Sequence, residues 1–180
     1  MSVEIVFETH SLSVDNERGV ATGWLDGRLS ETGRRLATEL GERRRSEHID
    51  VVFTSDLGRA VETAEIAFGG SGIPVIRDRR LRECNLGELN GTPVEQLEGD
   101  RARRIDEAFP GGESWREAVA RVDGFLDDLA RDWDEKRVVI IGHVATRWAL
   151  DHRVNGAALE ELVAAPFDWQ EGWLYVLPGR

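Results

Sequence analysis

Short apolar runs alternate along the chain with stretches in which apolar residues recur at helical spacing. The runs are typical of buried strands, and the stretches are typical of helices that cover a core on one face. The predicted strands are VEIVF (3–7), IDVVFTS (49–55), IPVIRD (73–78), KRVVIIGH (136–143) and EGWLYVLP (171–178). The predicted helices fall within residues 29–45, 56–68, 111–133 and 145–154.

Strands that alternate with helices predict an α/β protein, a three-layer α/β/α sandwich with a mostly parallel central sheet. Two helix starts carry capping signals: Ser30 is spaced as an N-cap, and Ser114 with Glu117 is spaced as a capping box. A length of 180 residues fits one domain over 1–180. The polar stretch at about 86–110 is a possible small excursion from that domain.

Charge narrows the range of partners. The formal net charge is −11, which disfavours nucleic acid because phosphate contacts need a basic face. The arginines at 43–45 end a predicted helix, where cations complement the helix dipole. The single cysteine, Cys84, excludes an intrachain disulfide and leaves too few thiols for a cysteine-based zinc site. We therefore expect no nucleic-acid partner, no metal and no cofactor.

The beginning of the chain and its apolar runs indicate where in the cell the protein is expected to lie. No basic segment leads into an apolar stretch at the N-terminus, and no run approaches membrane-spanning length. We therefore expect a cytoplasmic protein without a membrane partner. The sequence leaves the oligomeric state open.

Polar side chains that can take part in catalysis or binding follow the predicted strands. His10 lies just past the first strand, Ser55 just past the second and His143 just past the fourth. Arg59 lies one turn into the helix after Ser55, and Glu83 follows the third strand. Because ligands of open α/β sheets bind at the carboxyl ends of the strands, these residues are expected to share one rim.

This set of side chains suits a phosphate ester. An arginine offers a planar fork for phosphate oxygens, and a neutral imidazole can attack phosphorus. A second imidazole can bind the oxygens, and a carboxylic acid can protonate the departing alkoxide. The expected substrate is a small phosphorylated metabolite.

Five short motifs occur in one order along the chain. The first begins at His10 and continues through Asn16 to a G-W-L-D-G-R-L-S-E-T-G stretch (23–33). The others are S-D-L-G-R-A-V-E-T-A (55–64), L-R-E-C-N-L-G-E-L-N-G (81–91), G-G-E-S (111–114) and V-V-I-I-G-H (138–143).

In this order the motifs resemble those of the histidine phosphatase superfamily, which includes the cofactor-dependent phosphoglycerate mutases and many small phosphatases. The resemblance implies that His10 is the phosphorylated nucleophile and that Glu83 is the acid and base. It also implies that Arg59 and His143 bind the phosphoryl group, with Asn16 at the same site. Catalysis would then be metal-independent hydrolysis of a phosphomonoester through a phosphohistidine.

The first motif departs from the family pattern R-H-G-E-T. Thr9 stands where the family has the arginine before the nucleophile, and it can offer a phosphate one hydroxyl donor but no charge. Residues 11–13 read Ser-Leu-Ser. Val144 stands where the family has a glycine after the second histidine. A lost guanidinium weakens the stabilisation of the transferring phosphoryl group, so reduced activity is expected unless another cation substitutes.

A replacement cation would offset that loss. Arg147 is the first choice because it lies one helical turn beyond His143, and Arg18 and Arg28 are the other candidates. The competing interpretation is that Arg147 is a surface residue that pairs with Asp151 four residues later.

Three other functions stay open at this point. A phosphomutase would return the phosphoryl group to its product, although the chain lacks the long insertions typical of such relatives. A catalytically attenuated member would act as a phosphate-ligand binding or regulatory protein. A metallohydrolase would use His10, Asp15, Asp56 and His143 as ligands, but no H-x-H or H-E-x-x-H spacing supports it.

Overall fold

The computed structural model describes residues 1–179. Within them the strands are β1 (Ser2–Thr9), β2 (Val20–Ala21), β3 (Val51–Thr54), β4 (Val75–Arg77), β5 (Thr92–Pro93), β6 (Arg137–Gly142) and β7 (Trp173–Pro178). The helices are α1 (Val14–Glu17), α2 (Glu31–Arg44), α3 (Gly58–Phe68), α4 (Trp115–Asp132), α5 (Val144–Asn155) and α6 (Leu159–Ala164).

The central sheet has five strands in the order β4-β3-β6-β1-β7. The first four are parallel, and β7 adds to β1 in the antiparallel direction. The predicted α/β class with a mostly parallel sheet is confirmed. At the carboxyl end of the sheet Thr9 pairs with Gly142, so His10 and His143 emerge side by side.

Side-chain alternation along the strands gives the sheet two buried faces. In β6, Val138 and Ile140 join the core beneath α4 and α5, while Val139 and Ile141 join the core beneath α2 and α3. Continuous apolar runs such as VVII are expected for strands that are covered on both sides. None of the helices in residues 1–179 combines the length and the apolar composition needed to cross a membrane.

The capping predictions are confirmed at both helices. Ser30 accepts the amide hydrogen of Gly33 at the start of α2. Ser114 and Glu117 form the reciprocal pair of a capping box at the start of α4. These contacts satisfy backbone donors that the first helical turn leaves without partners.

Other elements differ from the sequence-based expectation. The strand predicted at 73–78 is observed as β4, which is shorter than predicted. It is exposed because it forms the edge of the sheet. Helices α1 and α6 and the small β2–β5 ladder were not predicted, since each is too short to show a period. Between β5 and α4 the chain runs through short 3₁₀ turns at Val94–Gln96, Glu98–Asp100 and Arg103–Ile105.

The loop after His10 is held against the first turn of α2. Ser11 donates its hydroxyl to the carbonyl of Gly33 at 2.6 Å, and Ser30 donates its amide to the carbonyl of Leu12 at 3.0 Å. A Cβ on Gly33 would overlap the carbonyl oxygen of Leu12. Position 33 therefore needs a glycine so that the loop can approach the helix.

We expect Gly33→Ala to lower the free energy of unfolding by about 1–3 kcal/mol, because the added methyl group must displace the Leu12 backbone. Gly124→Ala is the matched control, since Gly124 also lies inside a helix but has open space around its Cα. That control should gain about 0.5–1 kcal/mol from helix propensity. Urea unfolding curves measure both changes, and a stabilised Gly33→Ala protein would contradict the assigned contact.

Candidate active site

Four of the predicted residues meet at the carboxyl end of the sheet. His10 follows β1, His143 follows β6, and Arg59 lies in the first turn of α3. The ring centroids of His10 and His143 are 5.1 Å apart. Glu83 reaches the same place from the segment after β4. The shared rim expected from the strand order is thus present.

Arg59 lies at the centre of this group and is only 2% exposed. Its guanidinium donates to the carbonyls of Gly23 at 2.9 Å, Leu25 at 2.8 Å and Asp26 at 3.3 Å. Burial lowers the pKa of Arg59, but a guanidinium stays protonated at neutral pH. The site therefore holds a buried positive charge whose hydrogen-bond acceptors are neutral.

The hydrogen bonds of His10 fix its tautomer. Nδ1 lies 2.7 Å from the carbonyl oxygen of Ser11, which only accepts, so Nδ1 carries the proton. Nε2 lies 3.3 Å from Nε of Arg59, which only donates, so Nε2 presents a lone pair. Burial, and then the Arg59 charge, lower the pKa of His10 to about 3. His10 is therefore a neutral imidazole whose Nε2 lone pair accepts a hydrogen bond from a cation.

His143 is buried and hydrogen-bonded in a similar way to His10. It is 1% exposed, and Nδ1 lies 3.3 Å from the guanidinium of Arg59, which donates. Nε2 lies 2.7 Å from the hydroxyl of Ser55. Burial, followed by the charge of Arg59, lowers the pKa of His143 well below its ordinary value. Both imidazoles are therefore neutral around one arginine.

Glu83 is bound to the N-terminus of α5. Its two carboxylate oxygens accept the amides of Val144 and Ala145, each at 3.2 Å. One of the oxygens also accepts the amide of Cys84 at 2.8 Å. The positive end of the α5 dipole thus holds a carboxylate rather than being open to a phosphate.

The backbone of Glu83 is fixed as well. Its carbonyl oxygen accepts the indole N–H of Trp24 at 2.7 Å and the guanidinium of Arg121 at 3.1 Å. Trp24 is itself covered by Arg82, whose guanidinium carbon lies 4.7 Å from the ring centroid. Trp24 therefore helps to position the carboxyl group of Glu83, a role that the sequence did not reveal.

A cavity of about 240 Å³ opens from this group of residues. His10, Arg59 and Glu83 line one part of it. Most of the other lining residues are apolar, including three aromatic side chains, Phe109, Trp115 and Trp148. A polar end with a titratable set and an apolar wall is typical of a site for a small ligand.

Two of the predicted phosphate-binding residues differ in their relation to the cavity. Asn16 lines it, and its side-chain oxygen accepts the amide and the hydroxyl of Ser13. The amide NH₂ of Asn16 is thus the group left to donate to a ligand. Thr9 ends β1 beside Gly142 and is not among the residues that line the cavity.

The predicted replacement by Arg147 does not agree with the geometry. Its guanidinium carbon lies 4.5 Å from the ring centroid of Trp173, and its Nε lies 3.4 Å from Asp151. Helix α5 directs Arg147 towards β7, because the helical position of a residue sets its direction. Arg147, Arg18 and Arg28 are all absent from the cavity lining.

Arg101 is the cation that the sequence did not indicate. It lines the cavity from between the 3₁₀ turns Glu98–Asp100 and Arg103–Ile105, and its guanidinium carbon lies 5.9 Å from the ring centroid of Trp148. The only available sequence signal was its location in the polar stretch at 86–110. Irregular turns have no periodicity that would show which side chain faces inward.

The acidic residues of the metallohydrolase hypothesis have other partners. Asp56 binds Arg82 through both oxygens, at 2.6 Å and 2.7 Å, and Asp15 accepts the hydroxyl of Thr22 at 2.9 Å. Within residues 1–179 no group of three or more histidine, cysteine or acidic side chains is arranged to hold a metal ion.

The lowered pKa of His10 predicts a pH dependence of stability. The unfolded chain takes up a proton at this residue as the pH falls below about 6.5, whereas the folded chain does not take up this proton until the pH falls to about 3. Stability is therefore lost as the pH falls through this interval. Between about pH 7.5 and pH 4.5 we expect the wild type to lose about 2 kcal/mol more than His10→Gln. Urea unfolding of both proteins at the two pH values measures the difference, and equal losses would contradict the lowered pKa.

The sequence profile of the histidine phosphatase superfamily (branch 1) matches residues 5–172. Phosphoserine phosphatase 1 of Hydrogenobacter thermophilus is 31% identical over 88% of this chain and 79% of its own. The probable phosphoglycerate mutase GpmB of Yersinia enterocolitica is 34% identical over 78% of this chain and 69% of its own.

Comparison of the fold with solved structures agrees with the sequence matches. The solved structure of YhfR from Bacillus stearothermophilus superposes with a TM-score of 0.81 at 27% identity. The superposition covers 97% of this chain and 90% of that one. On the sequence match, the shared fold and the two neutral histidines around a buried arginine, the chain belongs to the histidine phosphatase superfamily.

Proposed function

We propose that the protein is a metal-independent phosphatase that hydrolyses a small phosphomonoester through a phosphohistidine at His10. The observation that carries the proposal is the tautomer of His10. The two contacts at 2.7 Å and 3.3 Å leave the lone pair on Nε2 next to the buried guanidinium of Arg59. A neutral nucleophile beside a fixed cation is what attack on a phosphate dianion requires.

In the first step Nε2 of His10 attacks phosphorus and forms a P–N bond. The bond from phosphorus to the ester oxygen breaks, and its electron pair leaves with the alkoxide. Glu83, in its protonated form, gives its proton to that oxygen and releases the alcohol. As the ester binds, its phosphoryl oxygens replace the two imidazoles as acceptors for Arg59, and His143 donates to them from Nδ1 in the tautomer whose Nε2 accepts from the hydroxyl of Ser55.

In the second step water attacks the phosphorus of phospho-His10. The Glu83 carboxylate takes one proton from the water, the P–N bond breaks, and its electron pair returns to Nε2. Inorganic phosphate leaves, and Glu83 is again protonated. Three amide contacts keep the carboxyl group of Glu83 in place through both steps.

A mutase would share the first step and then transfer the phosphoryl group to a hydroxyl group of the bound product. We favour water as the acceptor, because the match to the named phosphatase spans more of this chain than the match to the named mutase. Measuring free phosphate and transferred phosphate in one reaction distinguishes the two outcomes. A binding protein without turnover would release neither.

The nucleophile is tested by trapping the intermediate. Brief incubation with a ³²P-labelled phosphomonoester should give an acid-labile, base-stable phosphoprotein, and His10→Ala should abolish the label. His48→Ala is the matched control, because His48 is a largely exposed histidine that does not line the cavity. Label that persists in His10→Ala would assign the nucleophile to another residue.

The proton donor is tested by varying the leaving group. Glu83→Gln should slow hydrolysis of an alkyl phosphate by about 10²–10⁴-fold, because the alkoxide needs a proton on departure. Hydrolysis of 4-nitrophenyl phosphate should fall much less, since nitrophenolate leaves without protonation. Initial rates on both esters measure the ratio. Equal losses on the two esters would remove Glu83 from this role.

A further inference from the structure

Glu83 lies in a part of the chain that no helix or strand supports. Residues 82–86 are irregular and run between the 3₁₀ turns at Arg79–Leu81 and Gly87–Leu89. The other residues with proposed roles in the chemistry follow strands of the sheet or lie in α3. The place of the Glu83 carboxyl group therefore depends on side chains from elsewhere that bind this segment.

One guanidinium binds the segment at three carbonyls. Nη1 of Arg121, in α4, donates to the carbonyl oxygens of Arg80 at 2.7 Å and of Arg82 at 3.1 Å. Its Nη2 donates to the carbonyl oxygen of Glu83 at 3.1 Å. A guanidinium carries five N–H groups in one rigid plane, so it can fix several carbonyls at once. Arg121 therefore ties residues 80–83 to α4.

Glu113 holds this guanidinium in its orientation. Its two carboxylate oxygens accept Nε of Arg121 at 2.8 Å and Nη2 at 2.9 Å, a bidentate pair. The same carboxylate accepts the amide of Asn85 at 2.9 Å. The two side chains are 19% and 17% exposed, so solvent screens the pair less than a surface pair. The chain is thus bound on both sides of Glu83.

The contacts of the carboxyl group leave little room for movement. Its bonds to the amides of Val144 and Ala145 are 3.2 Å long, at the upper end of the usual range. A backbone shift of about 1 Å at Glu83 would break them, and a misplacement of that size can cost about 10²-fold in rate.

We propose that Arg121, oriented by Glu113, is a positioning residue that places the carboxyl group of Glu83 for proton transfer. The inference rests on the proposed function for the role of Glu83. Arg121 does not line the cavity, so it acts through Glu83 and does not touch the substrate. Its loss should impair protonation of the departing oxygen and leave the attack by His10 in place.

Rapid-quench measurement of phosphohistidine formation isolates the first chemical step. With ³²P-labelled benzyl phosphate, Arg121→Met should slow this step by about 10–100-fold, because the alkoxide needs the misplaced proton. With labelled 4-nitrophenyl phosphate the step should slow by less than about threefold, since nitrophenolate leaves without protonation. The ester concentration at half-maximal rate should change little, because other residues bind the phosphoryl group.

A milder variant covers the case in which Arg121→Met does not fold. Glu113→Gln keeps the shape of the side chain and removes the charge that orients Arg121. It should slow benzyl phosphate by about three- to tenfold, with the same sparing of 4-nitrophenyl phosphate.

Matched variants separate positioning from general loss of stability. Arg116→Met is the control, because Arg116 lies in the same helix and donates to Asp106 and Glu160. It should leave the rate ratio of the two esters unchanged. In a Glu83→Gln background, Arg121→Met should slow benzyl phosphate by less than about threefold further, because the group that it positions is already lost.

Amide hydrogen exchange tests the placement without turnover. The amides of Val144 and Ala145 lie in the first turn of α5, where no intrahelical acceptor is available, so Glu83 supplies their protection. Arg121→Met should raise both exchange rates by at least about tenfold, and Arg116→Met should not change them. Exchange followed by NMR on the full chain measures the two sites individually.

Unchanged exchange at Val144 and Ala145 would overturn the inference. Where Glu83→Gln shows the expected dependence on the leaving group, equal losses of Arg121→Met on both esters, or an additive loss in the double variant, would overturn it as well. The proposed function is judged separately by Glu83→Gln alone. Equal losses there, with both amides released in Arg121→Met, would refute the proton donor and still show that Arg121 positions the Glu83 carboxyl group.

Discussion

The buried charge of Arg59 is the constraint on which the rest of the site depends. A guanidinium removed from water is costly unless its donors are satisfied. Here the backbone carbonyls of Gly23, Leu25 and Asp26 and the lone pairs of two imidazoles supply acceptors without neutralising the charge. The loop that provides these carbonyls also carries Trp24, which donates to the carbonyl of Glu83. One buried cation thus links the loop, both histidines and the acid.

This arrangement also explains why both histidines are neutral. Each loses hydration on burial, and each faces the same positive charge, so protonation is disfavoured twice. A carboxylate paired with Arg59 would reverse the second effect and would occupy the place of an anionic ligand. The neutral state of His10, the proposed nucleophile, and the positive charge available to an anion therefore have one physical origin.

The sequence was sufficient for the residues whose positions follow from the sheet. His10, Arg59 and His143 each follow a strand, and the carboxyl ends of parallel strands meet at one edge. Arg147 could not be placed in this way, because spacing along a helix defines a turn but not the direction in which that turn faces. Arg101 and the three aromatic residues that line the cavity could not be predicted from the sequence for a different reason. They depend on short turns and on contacts between distant segments, which leave no period in the sequence.

The 3₁₀ turns between β5 and α4 cover the cavity, whereas its reactive end is built on the sheet and on α3 and α5. Turns of this kind tolerate substitution and insertion far better than the packed elements beneath them. Under the proposed function, part of the surface that meets the alcohol is therefore carried by turns, separately from the elements that carry His10, Arg59 and Glu83. If His10 and Glu83 have the proposed roles, a lineage could exchange one alcohol for another by altering residues of these turns while His10, Arg59 and Glu83 remained untouched.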